Sequence, residues 1–231
     1  MSLFTQDGSL FLLRLTHILA GVTWVGLLYY FNFVQVPYFG ETKTGLGTGE
    51  FRKLVQRALW YFRWAAMLTF LSGLTIYMMS LHMGLEAMGS WGTKISAGMT
   101  FGILMFLNVW LVIWPNQKIA IASAESVAGG GAADPNAAAA GGKAFLASRT
   151  NTLFSIPMLF FMVAAGHFPG LDADKGMAGL GVVTLLALAL EANAIFGKKA
   201  AGPSKMLETV PAVVHSGLAL TVICYLAIEL T

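Results

Sequence analysis

Four histidines are the residues of this chain best suited to bind haem iron or another transition metal. His17 stands well inside the first long apolar stretch, and His215 stands inside the last. Imidazole binds iron, copper and zinc alike. An ionisable group at membrane depth is costly, which favours a functional role. The alternative is a neutral histidine that hydrogen-bonds to a neighbouring helix.

Small residues beside the two deep histidines suggest room for a flat ligand. Gly21 lies one turn after His17, and small or imino residues flank His215 on its helix face. Facing helices that each supply a histidine can hold a haem iron between them. We therefore predict that His17 and His215 are axial ligands of one haem b. Arg14, with its fork-shaped guanidinium, is predicted to pair with a propionate.

The other two histidines lie near the ends of apolar stretches, where a second site is predicted. His82 and Glu86 share a face if their helix continues, and His167 closes the fourth stretch. These three side chains are candidate ligands for a second haem or a metal ion. For His167, simple exposure to water is the alternative.

Two charged side chains, Arg63 and Glu191, fall within apolar stretches. Arg63 either extends back to the membrane interface or pairs with a buried acid or a propionate. Glu191 is either protonated, paired with Arg63, or part of a proton path.

The elements that must position these residues are transmembrane helices. The chain of 231 residues is 57% hydrophobic and only 11% charged, with a mean hydropathy of +0.71, which excludes an ordinary soluble domain. We predict an all-α polytopic membrane helical bundle that forms a single domain over 1–231. Pro115 is expected to close the third span, and the alanine- and glycine-rich run 127–142 is expected to be a flexible loop. About six transmembrane helices are predicted, at 10–38, 55–81, 94–114, 150–168, 176–196 and 207–228.

Cysteine and charge exclude several classes. The single cysteine, Cys224, provides neither a disulfide framework nor a Cys-x-x-Cys-His motif, so any haem is expected to be non-covalently bound. A net charge of +3 does not indicate a nucleic-acid partner. The first eight residues lack a basic n-region, so we expect no cleaved signal peptide.

Basic residues are unevenly divided between the two sets of loops. The positive-inside rule places the richer set in the cytoplasm and both termini in the periplasm. The richer set holds Lys43, Arg52, Lys53, Lys118, Lys143, Arg149, Lys198, Lys199 and Lys205. The opposite set holds Lys94 and Lys175 with Glu86, Asp172 and Asp174.

Three stretches carry a family resemblance. The longest, NTLFSIPMLFFMVAAGHFP, begins at Asn151, and two shorter ones are HILAGVTWVG from His17 and WPNQK from Trp114. Together they resemble the membrane-bound urate oxidase family (PuuD), in its amino-terminal membrane domain. The resemblance implies a multi-pass oxidoreductase of the bacterial inner membrane that passes electrons to a cytochrome c. The positions it carries over are His17, Asn151, Pro157 and His167.

Two classes of function follow. The first is a haem-b redox protein, which would make the chain a membrane-bound oxidoreductase with lipid and a cytochrome c as partners. The second is a non-catalytic membrane subunit of a larger respiratory or electron-transfer complex. The first span also resembles the HemJ family of protoporphyrinogen oxidases, which bind haem b. Neither the substrate nor a catalytic residue follows from the residues themselves.

Overall fold

The computed structural model describes residues 4–43, 45–86, 89–168, 176–197 and 201–231. Within these ranges the regular structure is helical, which confirms the predicted all-α bundle. Five loop charges used in the topology prediction lie outside the described residues, namely Asp172, Asp174, Lys175, Lys198 and Lys199. The helices are α1 (Gln6–Tyr29), π1 (Tyr30–Gln35), α2 (Val36–Thr42), α3 (Gly49–His82), α4 (Ser90–Leu107), π2 (Asn108–Ile113), α5 (Trp114–Ala128), α6 (Ala137–His167), α7 (Gly176–Phe196), a 3₁₀ turn (Gly202–Leu207) and α8 (Val210–Leu230).

The chain is a multi-pass membrane protein by the length and composition of its helices. The five described runs that are long and apolar enough to cross a membrane are Gln6–Thr42, Gly49–His82, Ser90–Ala128, Gly176–Phe196 and Val210–Leu230. The fourth predicted span lies within α6, which is not one of these runs because consecutive polar residues at 150–152 lower its hydropathy. The division into six crossings stays a prediction.

The other helices pack around α6. It contacts α1, α4, α5, α7 and α8, whereas α3 packs mainly against α1. Buried side chains point in every direction from its middle turns, and several of them are polar. Polar groups are tolerated there because the surrounding helices supply hydrogen-bond partners in place of water.

Two helical runs pass through a proline without ending. Pro115 is the second residue of α5 and follows π2, and Pro37 follows π1 in the same way. At π2 the Trp114 N–H bonds to the carbonyl of Val109, five residues back. A proline lacks an N–H and crowds the carbonyl four residues before it, and one wide turn relieves that conflict. Pro115 therefore does not end the helix, because α4, π2 and α5 form one continuous run. The end of the third membrane span at 114 stays a prediction.

Half of the alanine- and glycine-rich run is helical, so the predicted flexible loop over 127–142 is too long. The chain leaves α5 after Ala128 and enters α6 at Ala137. Alanine is the strongest helix former, which explains the early start of α6. Only 129–136 forms the connection, where Asp134 Oδ1 accepts a hydrogen bond from the Asn136 N–H at 2.7 Å.

The start of α1 and the end of α8 lie at one end of the bundle, which we call the terminal face. Lys94 Nζ donates to the Phe168 carbonyl at 2.7 Å, which joins the start of α4 to the end of α6. Gly179, near the start of α7, packs against the backbone at the end of α8. Two hydrogen bonds show that α1 runs antiparallel to α6. We call the opposite end the basic face, and its described cations include Lys43, Arg52, Lys53, Arg57, Lys118, Lys143 and Lys205.

Gly179→Ala is expected to destabilise the protein. The added Cβ would collide with the backbone of Ala227 and Ile228 in α8, and overpacking of this kind costs about 1–3 kcal/mol. Gly181→Ala is the matched control, because a Cβ there meets nothing within 4 Å. Its effect should stay within about 0.5 kcal/mol. Thermal unfolding in detergent measures both, and equal losses would contradict the close α7–α8 contact.

Candidate functional site

A buried hydrogen-bonded triad links three parts of the bundle. Asn108 at the start of π2, Asn151 of α6 and Glu191 of α7 are 1%, 0% and 7% exposed. Asn108 Nδ2 donates to Asn151 Oδ1 and to Glu191 Oε2, both at 2.9 Å. Asn151 Nδ2 donates to the carbonyl of Met105 at 2.9 Å. The triad therefore joins α4, π2, α6 and α7 through side chains that membrane lipid cannot satisfy.

The Met105 carbonyl decides the direction in which both amides point. A carbonyl oxygen only accepts, so Asn151 must turn its nitrogen to Met105 and its oxygen to Asn108. Asn108 must then present its nitrogen, whose two hydrogens reach Asn151 and Glu191. Asn108 Oδ1 remains buried, and it has no partner in the part of the chain that the structure describes.

The structure unites two of the polar residues selected from the sequence and separates the third. Asn151 and Glu191 both bond to Asn108, a lone amide in an apolar run that was not selected as a site residue. The Arg63 guanidinium lies over the Trp114 ring, with Cζ 3.8 Å from the centroid. A cation–π contact thus takes the place of the suggested pairing between Arg63 and Glu191.

A second buried asparagine, Asn32, lies in π1 and is 0% exposed. Its Nδ2 donates to the Leu28 carbonyl at 2.9 Å and to Ser148 Oγ of α6 at 2.8 Å. Tyr29 Oη and Ser155 Oγ make another contact between the same helices at 2.9 Å. Each π-helix therefore carries a buried asparagine within a polar contact to α6, and π-helical turns are frequent at functional sites.

Arg149 completes this group of buried polar residues. It is 2% exposed, and its Nε and Nη1 have no hydrogen-bond partner among the described residues. Its position beside Ser148 on α6 places it near the level of Asn32. We call Asn32, Asn108, Arg149, Asn151 and Glu191 the polar layer. The polar layer lies toward the basic face, whereas three of the four histidines lie toward the terminal face.

His17 lies between α1 and α3, where a backbone hydrogen bond orients its ring. Nδ1–H donates to the Thr69 carbonyl at 2.9 Å, with Ser72 Oγ at 3.2 Å. Because the proton is on Nδ1, Nε2 carries the lone pair. The ring lies against Gly73, where an added Cβ would stand 2.7 Å from Cε1. Metal-binding histidines adopt this arrangement, in which a carbonyl holds one nitrogen and the other binds the metal.

The glycine one turn after His17 does not open a slot for a flat ligand. Gly21 faces α3, and a Cβ there would stand 3.8 Å from Thr69 Cγ2. Helix α3 therefore occupies the space that the sequence suggested for a ligand. Arg14 is exposed one turn nearer the terminal face, and its pairing with a propionate stays a prediction.

His17 and His215 lie at different levels of the membrane bundle. Tyr29 and Gly217 share one level, because both contact residues 153–156 of α6. His17 comes twelve residues before Tyr29, toward the terminal face, whereas His215 comes two residues before Gly217, toward the basic face. At roughly 1.5 Å of rise per residue, about 20 Å separates the two levels. One iron cannot span that distance, so the predicted pairing of these two histidines is incompatible with the fold.

His215 also points away from the other helices. It is exposed, while Val213, Gly217 and Leu220 form the buried side of α8. At 100° per residue, the side chain of His215 lies roughly opposite that buried side. Its surroundings are those of a lipid-facing residue.

The predicted second site is not assembled either. His82, Glu86 and His167 are all exposed. Within the described ranges, no group of three or more histidine, cysteine, aspartate or glutamate side chains is placed to hold a metal ion. The structure therefore does not bring these three side chains together.

The apolar helices and the buried polar layer define a helical multi-pass membrane protein. The family model described as urate oxidase N-terminal matches residues 83–227. The chain belongs to that family, and the predicted relation to membrane-bound urate oxidases is confirmed. No curated protein and no solved structure matches the chain. The matched region contains the whole triad, and the predicted site residues that precede it are Arg14, His17, Arg63 and His82.

Asn151→Leu is expected to destabilise the bundle. It preserves the approximate volume but leaves the Met105 carbonyl and one Asn108 hydrogen unpaired, at about 1–3 kcal/mol for each buried group. Asn116→Leu is the control, because Asn116 is only partly buried and donates to Val112 of its own helical run. Denaturant titration in mixed micelles measures the unfolding midpoint of both variants. Similar midpoints would contradict the claim that the hydrogen bonds of the triad stabilise the bundle.

Proposed function

We propose that the protein is a membrane oxidoreductase related to urate oxidase, which binds haem b through His17 and passes electrons towards a cytochrome c. The observation that carries this proposal is the orientation of His17 within a membrane helix. The Thr69 carbonyl holds Nδ1 and leaves Nε2 with its lone pair. A histidine that only joins α1 to α3 would make the same hydrogen bond, so the haem content of the purified protein decides between the two roles.

The histidines of the chain suit one axial bond to haem. His82 and His167 are exposed near the terminal face, and His215 faces away from the bundle near the other end. His17 would therefore supply the proximal ligand alone, as in globins and peroxidases. When bound, haem supplies one-electron chemistry, and the protein sets its position and surroundings.

The proposed orientation places the basic face in the cytoplasm. It rests on the excess of lysine and arginine in the loops at that end. The terminal face then meets the periplasm of a bacterial inner membrane. His17 lies in the half of α1 nearer that face, where a periplasmic electron carrier would approach.

A second candidate function is a membrane subunit of a larger complex. The helical runs Gln6–Thr42 and Ser90–Ala128 contain 37 and 39 residues, against the roughly 20 needed to cross the bilayer. Their surplus length extends past the membrane at the basic face. A partner subunit would bind to this helical surface. In that case His17 would only join α1 to α3 and would bind no haem.

Purified protein is expected to show a reduced-minus-oxidised band of b-type haem. His17→Ala should remove most of the haem, because the variant loses its axial ligand. His215→Ala is the matched control and should keep the parental content, since that side chain faces away from the bundle. The pyridine haemochrome assay measures the haem bound per folded protein in the parent and in both variants. Equal haem loss in both variants would contradict the assignment, and a colourless parent would favour the subunit.

Reporter fusions at Thr231 test the orientation. A periplasmic reporter, such as alkaline phosphatase, is expected to be active there, because both termini lie on the face with few basic residues. The matched fusion in the 129–136 connection should be active only with a cytoplasmic reporter. The reverse pattern would invert the proposed topology.

A further inference from the structure

Glu191 is a buried carboxyl group whose partner is a neutral amide. It is 7% exposed, and within the described ranges its hydrogen bond comes from Asn108 Nδ2 at 2.9 Å. Removing an ionised carboxylate from water costs several kcal/mol unless a cation compensates. One neutral donor does not offset that cost. The surroundings therefore favour the uncharged, protonated acid.

The charged groups on neighbouring elements do not neutralise this carboxyl. Helix α7 packs against α4, α6, α8 and the 3₁₀ turn. Near the level of Glu191 these elements carry Arg149, His215 and Lys205. Arg149 leaves Nε and Nη1 unpaired among the described residues, and the other two side chains are exposed. Between Lys94 and Lys118 the α4–π2 run has no charged residue.

We propose that Glu191 is a proton-binding site, which holds a proton at neutral pH and exchanges it with water from the basic face. The reaction is the reversible loss of the carboxyl proton to a water molecule, which becomes hydronium, so no further reactant is required. This property goes beyond the oxidoreductase activity and does not depend on haem.

Apolar side chains close the route from Glu191 toward the terminal face. The Phe101 and Phe154 rings contact each other with centroids 5.3 Å apart. By contrast, Glu191 lies only five residues before Phe196, the last residue of α7, or about 8 Å of helical rise. The side chains that close the route toward the terminal face are each 0% exposed: Phe101, Met105, Phe154, Val183 and Ala187.

The shorter route passes the level of Arg149. Arg149 lies two positions nearer the basic face than Asn151, and its Nε and Nη1 are buried without hydrogen-bond partners in the described part of the chain. Buried waters bind to such atoms, so we expect water to reach this level of the bundle from the basic face.

Infrared difference spectroscopy of the full chain in detergent tests the protonation state. At neutral pH the parent should show the carbonyl band of a protonated carboxylic acid. Glu191→Gln keeps the shape of the side chain and should abolish the band. Glu208→Gln, at an exposed glutamate, is the control and should retain it. If no band is lost in Glu191→Gln while it folds normally, the proposal is overturned.

The rate at which that band shifts on transfer to heavy water tests the route. Arg149→Met removes the two unpaired nitrogens at this level, and exchange should slow about tenfold, equivalent to 1.36 kcal/mol in the barrier. Thr184→Val is the control, because Thr184 lies on the same face of α7 two turns toward the terminal face. Its exchange rate should equal that of the parent. Slowing by Thr184→Val, or no slowing in Arg149→Met, would overturn exchange through the basic face.

Discussion

The hydrogen bonds of Asn151 are the constraint on which the packing of this bundle depends. Its helix, α6, is surrounded by α1, α4, α5, α7 and α8, and several polar side chains of its middle turns are buried. In a membrane, such groups must be satisfied by neighbouring helices. The Met105 carbonyl and Asn108 supply these partners, and they fix the depth of α4 relative to α6. Glu191 then brings α7 to the same level.

The π-helical turns make this arrangement geometrically accessible. A wide turn before Pro115 rotates the following residues relative to an ideal α-helix, and Asn108 stands at its first position. The same device recurs before Pro37, where Asn32 reaches Ser148 of α6. In both runs a proline that would otherwise interrupt the helix coincides with a polar contact to the central helix. The turns that keep the two runs continuous are therefore also the turns that carry the buried asparagines.

Two regions of the protein carry the proposed chemistry, and they lie at different depths. His17 belongs to the α1–α3 hairpin in the half nearer the terminal face, outside the region matched by the family model. The polar layer lies toward the basic face, and most of it falls within the matched region. Electron transfer would concern the first region and proton exchange the second. Their separation means that each can be perturbed without direct contact with the other.

The membrane class of the protein follows from composition alone, because apolar runs of this length have no stable alternative in water. The sequence also predicts sites at His17 and Glu191, since polar groups within apolar runs are costly wherever the chain folds. Asn151 follows from the family resemblance. Low complexity in 127–142 predicts a loop, whereas the helix propensity of its alanines starts α6 at Ala137.

Which polar residues meet was decided by the tertiary structure. Residue spacing gives depth along one helix, but it does not give the relative levels of two helices or the rotation that a π-turn adds. His17 and His215 therefore seemed close in depth, although the contacts of Tyr29 and Gly217 with α6 place them about 20 Å apart. For the same reason Asn108 emerged as the link between Asn151 and Glu191 only once α4, α6 and α7 were packed together.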